Sequence, residues 1–321
     1  MKATLLRVLA LLVSVSLFVA VLRYAGVGKM GEALLRIAAW LPLLALLEIT
    51  IIAFNALALR SLYRAAGADA PSRAFWRAVY LGNTFSVVLP AGRLMTETWK
   101  AVRLARYVTG PISAAGAVGC QAAVLLGNAV IAALTLTAVA LRCGMTWPTL
   151  AVALFALGMI GMGGSVFLLG RAKLGRWLGS RMAMVQAHGP AFDDAFLKSS
   201  RALPIAAFYE SCARLCQLTQ VAILLYADGQ ALGVIGTLAT YGLLLVGAAL
   251  GDLLPAQLGA TDAMLTIAGS HVGLAAAQAL AMTTCLHGAQ IGGALFSAAV
   301  AFVVPEIDRP ESVSTATEKQ P

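Results

Sequence analysis

Charge is what this chain has least of. Only 12% of its 321 residues are Asp, Glu, Lys or Arg, where a soluble domain carries roughly 25%. With 60% hydrophobic residues and a mean hydropathy of +0.86, the chain cannot cover itself in polar surface. An ordinary soluble domain is excluded. Histidine is scarce, at three, and His271 and His287 have no carboxylate at ligand spacing, so they read as structural residues rather than metal ligands. No serine elbow, glycine-rich phosphate loop or His-Glu-x-x-His run occurs, so neither an ATPase nor a standard hydrolase is indicated. The five cysteines, Cys120, Cys143, Cys212, Cys216 and Cys285, form no Cys-x-x-Cys pair. Neither a disulfide framework nor a zinc site is implied, and no cofactor is expected. The net charge of +9 has no soluble basic domain to carry it. Nucleic acid is therefore not an expected partner, and the excess fits the concentration of Lys and Arg in cytoplasmic loops.

What the chain does have is long apolar runs. Residues 5–21, 39–59, 112–141, 150–169, 204–226, 231–250, 263–282 and 289–304 each read as a membrane segment, a crossing helix needing roughly 20 residues. Lys2 and Arg7 before the first run resemble a signal peptide. The run has no small-x-small cleavage site and is read as a retained helix. The expected fold is all-α, a polytopic integral membrane bundle. Residues 1–304 form one transmembrane domain, with halves at about 1–170 and 203–304 joined by a cytoplasmic loop at 171–202. The polar tail 305–321 has the composition of a disordered segment. Basic stretches at 1–7, 60–78, 93–106 and 171–201 place the N-terminus in the cytoplasm. No Lys or Arg lies between Arg214 and Arg309, so charge does not orient the second half.

One pattern occurs twice. Residues 89–97 read Leu-Pro-Ala-Gly-Arg-Leu-Met-Thr-Glu, and residues 254–262 read Leu-Pro-Ala-Gln-Leu-Gly-Ala-Thr-Asp. Each copy has Leu-Pro-Ala and then Thr before an acid, at the edge of an apolar run. The run 79–90 is too short to cross. It ends at Pro90 and continues into a basic helix, which is how a segment that turns back inside the membrane reads. Irregular backbone at that depth is tolerated only where protein or a wet cavity covers it. Two broken, re-entrant segments and an internal repeat are therefore expected. Glu97 and Asp262 either face a common cavity or cap the helices that restart after Pro90 and Pro255.

Other polar residues inside apolar runs are candidates because intramembrane charge is expensive. Arg93, Lys100, Arg103 and Arg106 form a strip that either holds an anionic lipid head group or anchors a helix at the interface. Glu210, Arg214 and Gln217 are spaced i, i+4, i+7, with Glu before Arg, the favourable order for a helical ion pair. They serve as interhelical glue or line a substrate path. Glu48 and Asn55 are seven apart, as are Gln121 and Asn128. The amides default to interhelical hydrogen bonding, while Glu48 must be paired or protonated.

With these residues laid out, the chain resembles the flippase-like family of the lysylphosphatidylglycerol synthase membrane region, and within it the branch associated with hopanoid biosynthesis. Two marks carry the likeness. One is Asn83 through Leu-Pro at Pro90 to Glu97 and an Arg-containing helix. The other is the Pro255, Gly259, Asp262 turn near the C-terminal end. The resemblance runs from the first span to Val304. It implies a bacterial inner-membrane protein that moves or presents a lipid, a hopanoid or an anionic phospholipid, between leaflets. Glu48, Pro90, Arg93, Glu97, Lys100, Arg103, Glu210, Arg214, Pro255, Gly259 and Asp262 would serve binding and translocation. No catalytic residue is expected, and no aminoacyl-transferase domain is present, so lipid lysinylation is not implied. Membrane lipids are the expected partners, with lipid-biosynthesis enzymes as further ones. The rival readings are a membrane scaffold for such enzymes and an intramembrane lipid transferase.

Overall fold

The computed structural model describes residues 2–89, 92–181, 186–252, 254 and 257–305, and its side chains exclude those at 2–10, 88, 93, 94, 178 and 179. Every regular element among the described residues is helical. In chain order the helices are α1 (Lys2–Ala25), α2 (Val27–Ile37), α3 (Leu41–Ala65), α4 (Ser72–Val88), α5 (Gly92–Val108), α6 (Gly110–Cys143), α7 (Trp147–Arg171) and α8 (Leu174–Gly179). They continue with α9 (Gly189–Ser199), α10 (Leu203–Ala227), α11 (Gly233–Gly251), α12 (Ala260–Val272) and α13 (Ala276–Val303). Five segments, Val27–Ala65, Gly110–Cys143, Trp147–Arg171, Gly233–Gly251 and Ala276–Val303, are long and apolar enough to span a bilayer. The chain is a multi-pass membrane protein, its spanning segments helices that satisfy their own backbone in hydrocarbon.

Two sequence expectations need correction. The segment 171–202 is not simply a loop. Its second half is α9, which packs on α6. Asp193 of α9 accepts backbone N–H bonds from Gly175 at 2.7 Å and Arg176 at 3.0 Å, so it caps the start of α8. The last apolar stretch also breaks earlier than read. Gly273, at φ 94°, ends α12, and 276–303 is one unbroken helix. The surrounding Val272 and Leu274 are apolar and hid the break. The tail beyond 305 lies outside the described residues.

The two halves use the same parts list. α2 and α9 have 11 residues each, and each is followed by a three-residue 3-10 turn. α3 and α10 have 25 residues each and open with Leu41-Pro42 and Leu203-Pro204. Proline suits the first helical turn, where its missing N–H has no partner to lose. Glu48 and Glu210 stand at the same place in these two helices, and so do Asn55 and Gln217.

α3 and α10 pack antiparallel. Gln220, late in α10, donates to Leu44 O of early α3 at 3.0 Å, while Phe54 of α3 stacks on Tyr209 of early α10. After each comes a helical hairpin, α4–α5 and α11–α12, then a long helix, α6 or α13. The long helices are exchanged: α13 packs on α4, and α6 packs on α11. Two glycines bring the long helices close to the other half's α10 and α3 as well. A Cβ on Gly127 of α6 would lie 2.9 Å from Glu210 Cβ, and one on Gly293 of α13 would lie 3.1 Å from Glu48 Cβ. Small residues at helix crossings let backbones approach, which is what drives association where both helices are apolar.

Packing forms two main cores. One gathers Leu59, Leu62, Tyr63, Phe75 and Leu104 around the first hairpin. The other gathers Val139, Leu224, Leu243, Leu265 and Leu280 around the second. At the corner between α3 and α4, Asp69 receives bonds from Arg60 and Arg64. Burial pushes its carboxyl up, but these two guanidinium partners outweigh it and hold the carboxyl below the usual range.

Candidate functional site

Between the two cores lies a cavity in two joined compartments. The polar compartment, of about 160 Å³, is lined by both hairpin tips: Ser86, Val87 and Gly92 from the first, and Asp252, Leu254 and Gln257 from the second. The apolar compartment, of about 360 Å³, is walled by Phe155, Met159 and Met162 of α7, Val221 of α10 and Leu244 and Leu245 of α11. Gln121, Val124, Arg214, Gln217, Asp252, Gln257 and Gln290 face both. An amphipathic pocket thus sits where the two interrupted helix pairs meet.

The polar compartment collects the costly groups that sequence reading singled out. Glu97 and Lys100 of α5 form an ion pair, with Lys100 Nζ 2.5 Å from Glu97 Oε1, while Glu97 Oε2 is buried with no hydrogen-bond partner. Thr96, beside them, donates to Gly82 O at 2.9 Å and locks α5 to α4. Glu48 accepts from Gln220 Nε2 at 3.1 Å. Arg214 lies 3.8 Å from Glu210 and donates to Gln217 Oε1 at 2.7 Å. Tyr241 of α11 donates to the same amide oxygen at 3.0 Å. Asp252 accepts from Gln257 Nε2 at 2.8 Å. Burying a charge without a partner is strongly unfavourable, and a buried pair at best roughly offsets its own desolvation. Such a concentration is poor stabilising material.

Asp262 is placed differently. It is fully buried and does not line the cavity. Its Oδ2 accepts the Gly259 N–H at 2.8 Å, where Gly259 (φ 87°) is the residue before α12. Its Oδ1 accepts the Thr283 hydroxyl, and His287 Nε2 lies 3.3 Å from Oδ2. Thr261, Thr283 and His287 do line the apolar compartment. Asp262 therefore caps a helix and reaches the cavity only through its partners. Glu97 faces the cavity and Asp262 does not.

The basic strip is divided too. Lys100 faces the cavity, whereas Arg103 lines a separate small recess with Arg77, Trp99 and Tyr107. The side chain of Arg93 and the residues Pro90 and Pro255 lie outside the described residues. Sequence reading missed the Asp262–His287 contact, because the partners are 25 residues apart. It also missed Gln220, Gln290 and Gln257, single amides with no local pattern. Among the described residues no cluster of three His, Cys, Asp or Glu side chains is placed to hold a metal ion.

A family model described as the lysylphosphatidylglycerol synthase TM region matches residues 7–297. No curated protein and no solved structure matches the chain.

Proposed function

The chain belongs to the lysylphosphatidylglycerol synthase transmembrane-region family, and we propose that it moves a membrane lipid between leaflets through the two-part cavity. The observation that carries this reading is the juxtaposition of a polar compartment at the hairpin tips with a larger apolar compartment bounded by α7 and α11. A lipid needs both at once: a place where its head group exchanges water for protein hydrogen bonds, and a place that keeps its tail out of water.

The proposed route has an internal logic. We take the halves as an inverted repeat, with units starting near α2 and α9 rather than at 1 and 203. The matched helix lengths, the Glu48–Asn55 and Glu210–Gln217 pairs, and the antiparallel α3–α10 contact support this. Re-entrant hairpins entering from opposite faces would then meet at their tips, near the middle of the bilayer, as in transporters built from inverted repeats. Such a molecule has a second arrangement, related to the first by the pseudo-two-fold axis of the repeat, in which the other hairpin opens. Glu97, Glu48 and Glu210 bind the head group or exchange protons with it. Asp262 positions His287 and Thr283. The setting is the bacterial inner membrane with the N-terminus in the cytoplasm, and lipid-modifying enzymes are natural neighbours.

Reconstitution of the full chain into proteoliposomes with a fluorescent phospholipid tests the roles. The wild type exchanges lipid between leaflets, and the Glu97→Gln/Asp262→Asn double variant slows it. Equal rates in the two proteins would remove these residues from the mechanism.

A further inference from the structure

The cavity's side chains say more about its occupant than that it is amphipathic. Among the described residues of the polar compartment, four carboxyl groups (Glu48, Glu97, Glu210, Asp252) stand against two cationic groups, Lys100 and Arg214. Lys100 is engaged by Glu97, and Arg214 by Glu210 and Gln217. An anionic head group entering here would have to compete with Glu97 and Glu210 for these two cations.

Carboxamides dominate the remaining polar lining. Gln121, Gln217, Gln257 and Gln290 face both compartments. Asn55 and Asn83 face the polar one, and Asn128 and Gln220 the apolar one. A carboxamide carries two N–H donors and an acceptor oxygen. An ammonium can only donate and would leave the amide N–H groups facing it unpaired. A phosphate can only accept and would leave the oxygens unpaired. A hydroxyl does both. The orphans in the wall are of both kinds: Asn55 Oδ1, Asn128 Oδ1 and Glu97 Oε2, which accept, and the Thr261 hydroxyl and His287 Nδ1, which can also donate, are buried without a hydrogen-bond partner. Asn128 is 6% exposed and points into the cavity. Buried polar atoms without partners are rare in native proteins, and such atoms around one cavity mark where a ligand that both donates and accepts belongs.

From this we infer that the cavity takes an uncharged head group bearing several hydroxyls, a sugar or other polyol, carried on a hydrocarbon tail. The inference rests on the cavity being a lipid site and narrows which lipid it holds. The hydroxyls donate to Asn55, Asn128 and Glu97 and accept from the glutamine amides, while the tail lies along Phe155, Met159 and Met162.

The test is binding to the purified full chain in phosphatidylcholine nanodiscs, read by native mass spectrometry. The probes are a monoglucosyl diacylglycerol, phosphatidylethanolamine, phosphatidic acid and free glucose. The glucosyl lipid is expected to bind about tenfold more tightly than either phospholipid, and free glucose not to bind. Asn128→Leu, which keeps the volume and removes the acceptor, is expected to weaken the glucosyl lipid about three- to tenfold, the scale of one neutral hydrogen bond, with the phospholipids unchanged. Tighter binding of either phospholipid, or identical glucosyl-lipid binding by wild type and Asn128→Leu, would overturn the head-group assignment. Binding of free glucose as tight as that of the lipid would overturn the tail. Selective glucosyl-lipid binding without lipid movement in vesicles would overturn transport and leave the head-group assignment standing.

Discussion

Asp262→Ala removes the acceptor on which the start of α12 depends. Three donors lose their partner, but not equally. The Thr283 hydroxyl can turn to Leu280 O, already 3.0 Å away, so its loss is small. The Gly259 N–H at the helix N-terminus loses its cap, worth about 1 kcal/mol. His287 Nε2 loses a charged acceptor in a buried site, worth about 2 kcal/mol. The sum is a destabilisation of about 3 kcal/mol. Asp262→Asn keeps one oxygen for the Gly259 N–H and can place its NH2 against the Thr283 oxygen, so about 1 kcal/mol is expected. Equilibrium unfolding of the full chain in bicelles, followed by steric trapping, measures both. Thr219→Ala, at an exposed hydroxyl on α10, serves as a control within about 0.5 kcal/mol of wild type. If Asp262→Ala matches that control, or if the Ala and Asn variants are equally destabilised, the capping account of Asp262 is wrong.

Two further outcomes follow from the packing and the cavity. Gly127→Val and Gly293→Val drive a branched side chain into Glu210 and Glu48 respectively and should each destabilise by about 1–3 kcal/mol. Gly161→Ala, which meets nothing within 4 Å, should be neutral or stabilising by up to about 1 kcal/mol in thermal unfolding. In a background without native cysteines, Gln121→Cys and Gln290→Cys should react with a small charged methanethiosulfonate reagent, and Leu265→Cys, fully buried, should not. Protection of both glutamine positions would mean that the cavity is closed to water.

Much of this architecture is legible in the sequence because hydrophobic length alone identifies a membrane helix. Helix ends near the two prolines are legible because proline cannot donate to a continuing helix, and α4 stops at Val88 and α11 at Gly251. The Glu210–Arg214 pair follows from helical spacing. The equal i, i+7 spacing of Glu48–Asn55 and Glu210–Gln217, each six residues after a Leu-Pro, is also written in the sequence. Its meaning appears only when α3 and α10 are seen side by side. Other features are not local. Asp262 meets His287 across a helix break that the apolar run around Gly273 conceals. Gln220 finds Glu48 across 172 residues. The helix α9 hides in a polar segment because its buried Asp193 serves another helix's N-terminus.

If lipid passes through the junction of the two compartments, filling that junction stops its movement. Val124 of α6 lies at that junction, facing both. Val124→Trp fills it without adding charge. The decisive measurement is the rate at which the full chain equilibrates a fluorescent lipid across proteoliposome leaflets, wild type against Val124→Trp, at matched reconstitution and thermal stability. A rate reduced at least about tenfold, equivalent to about 1.4 kcal/mol of barrier, is predicted. An unchanged rate, or no lipid movement by the wild type, would contradict it.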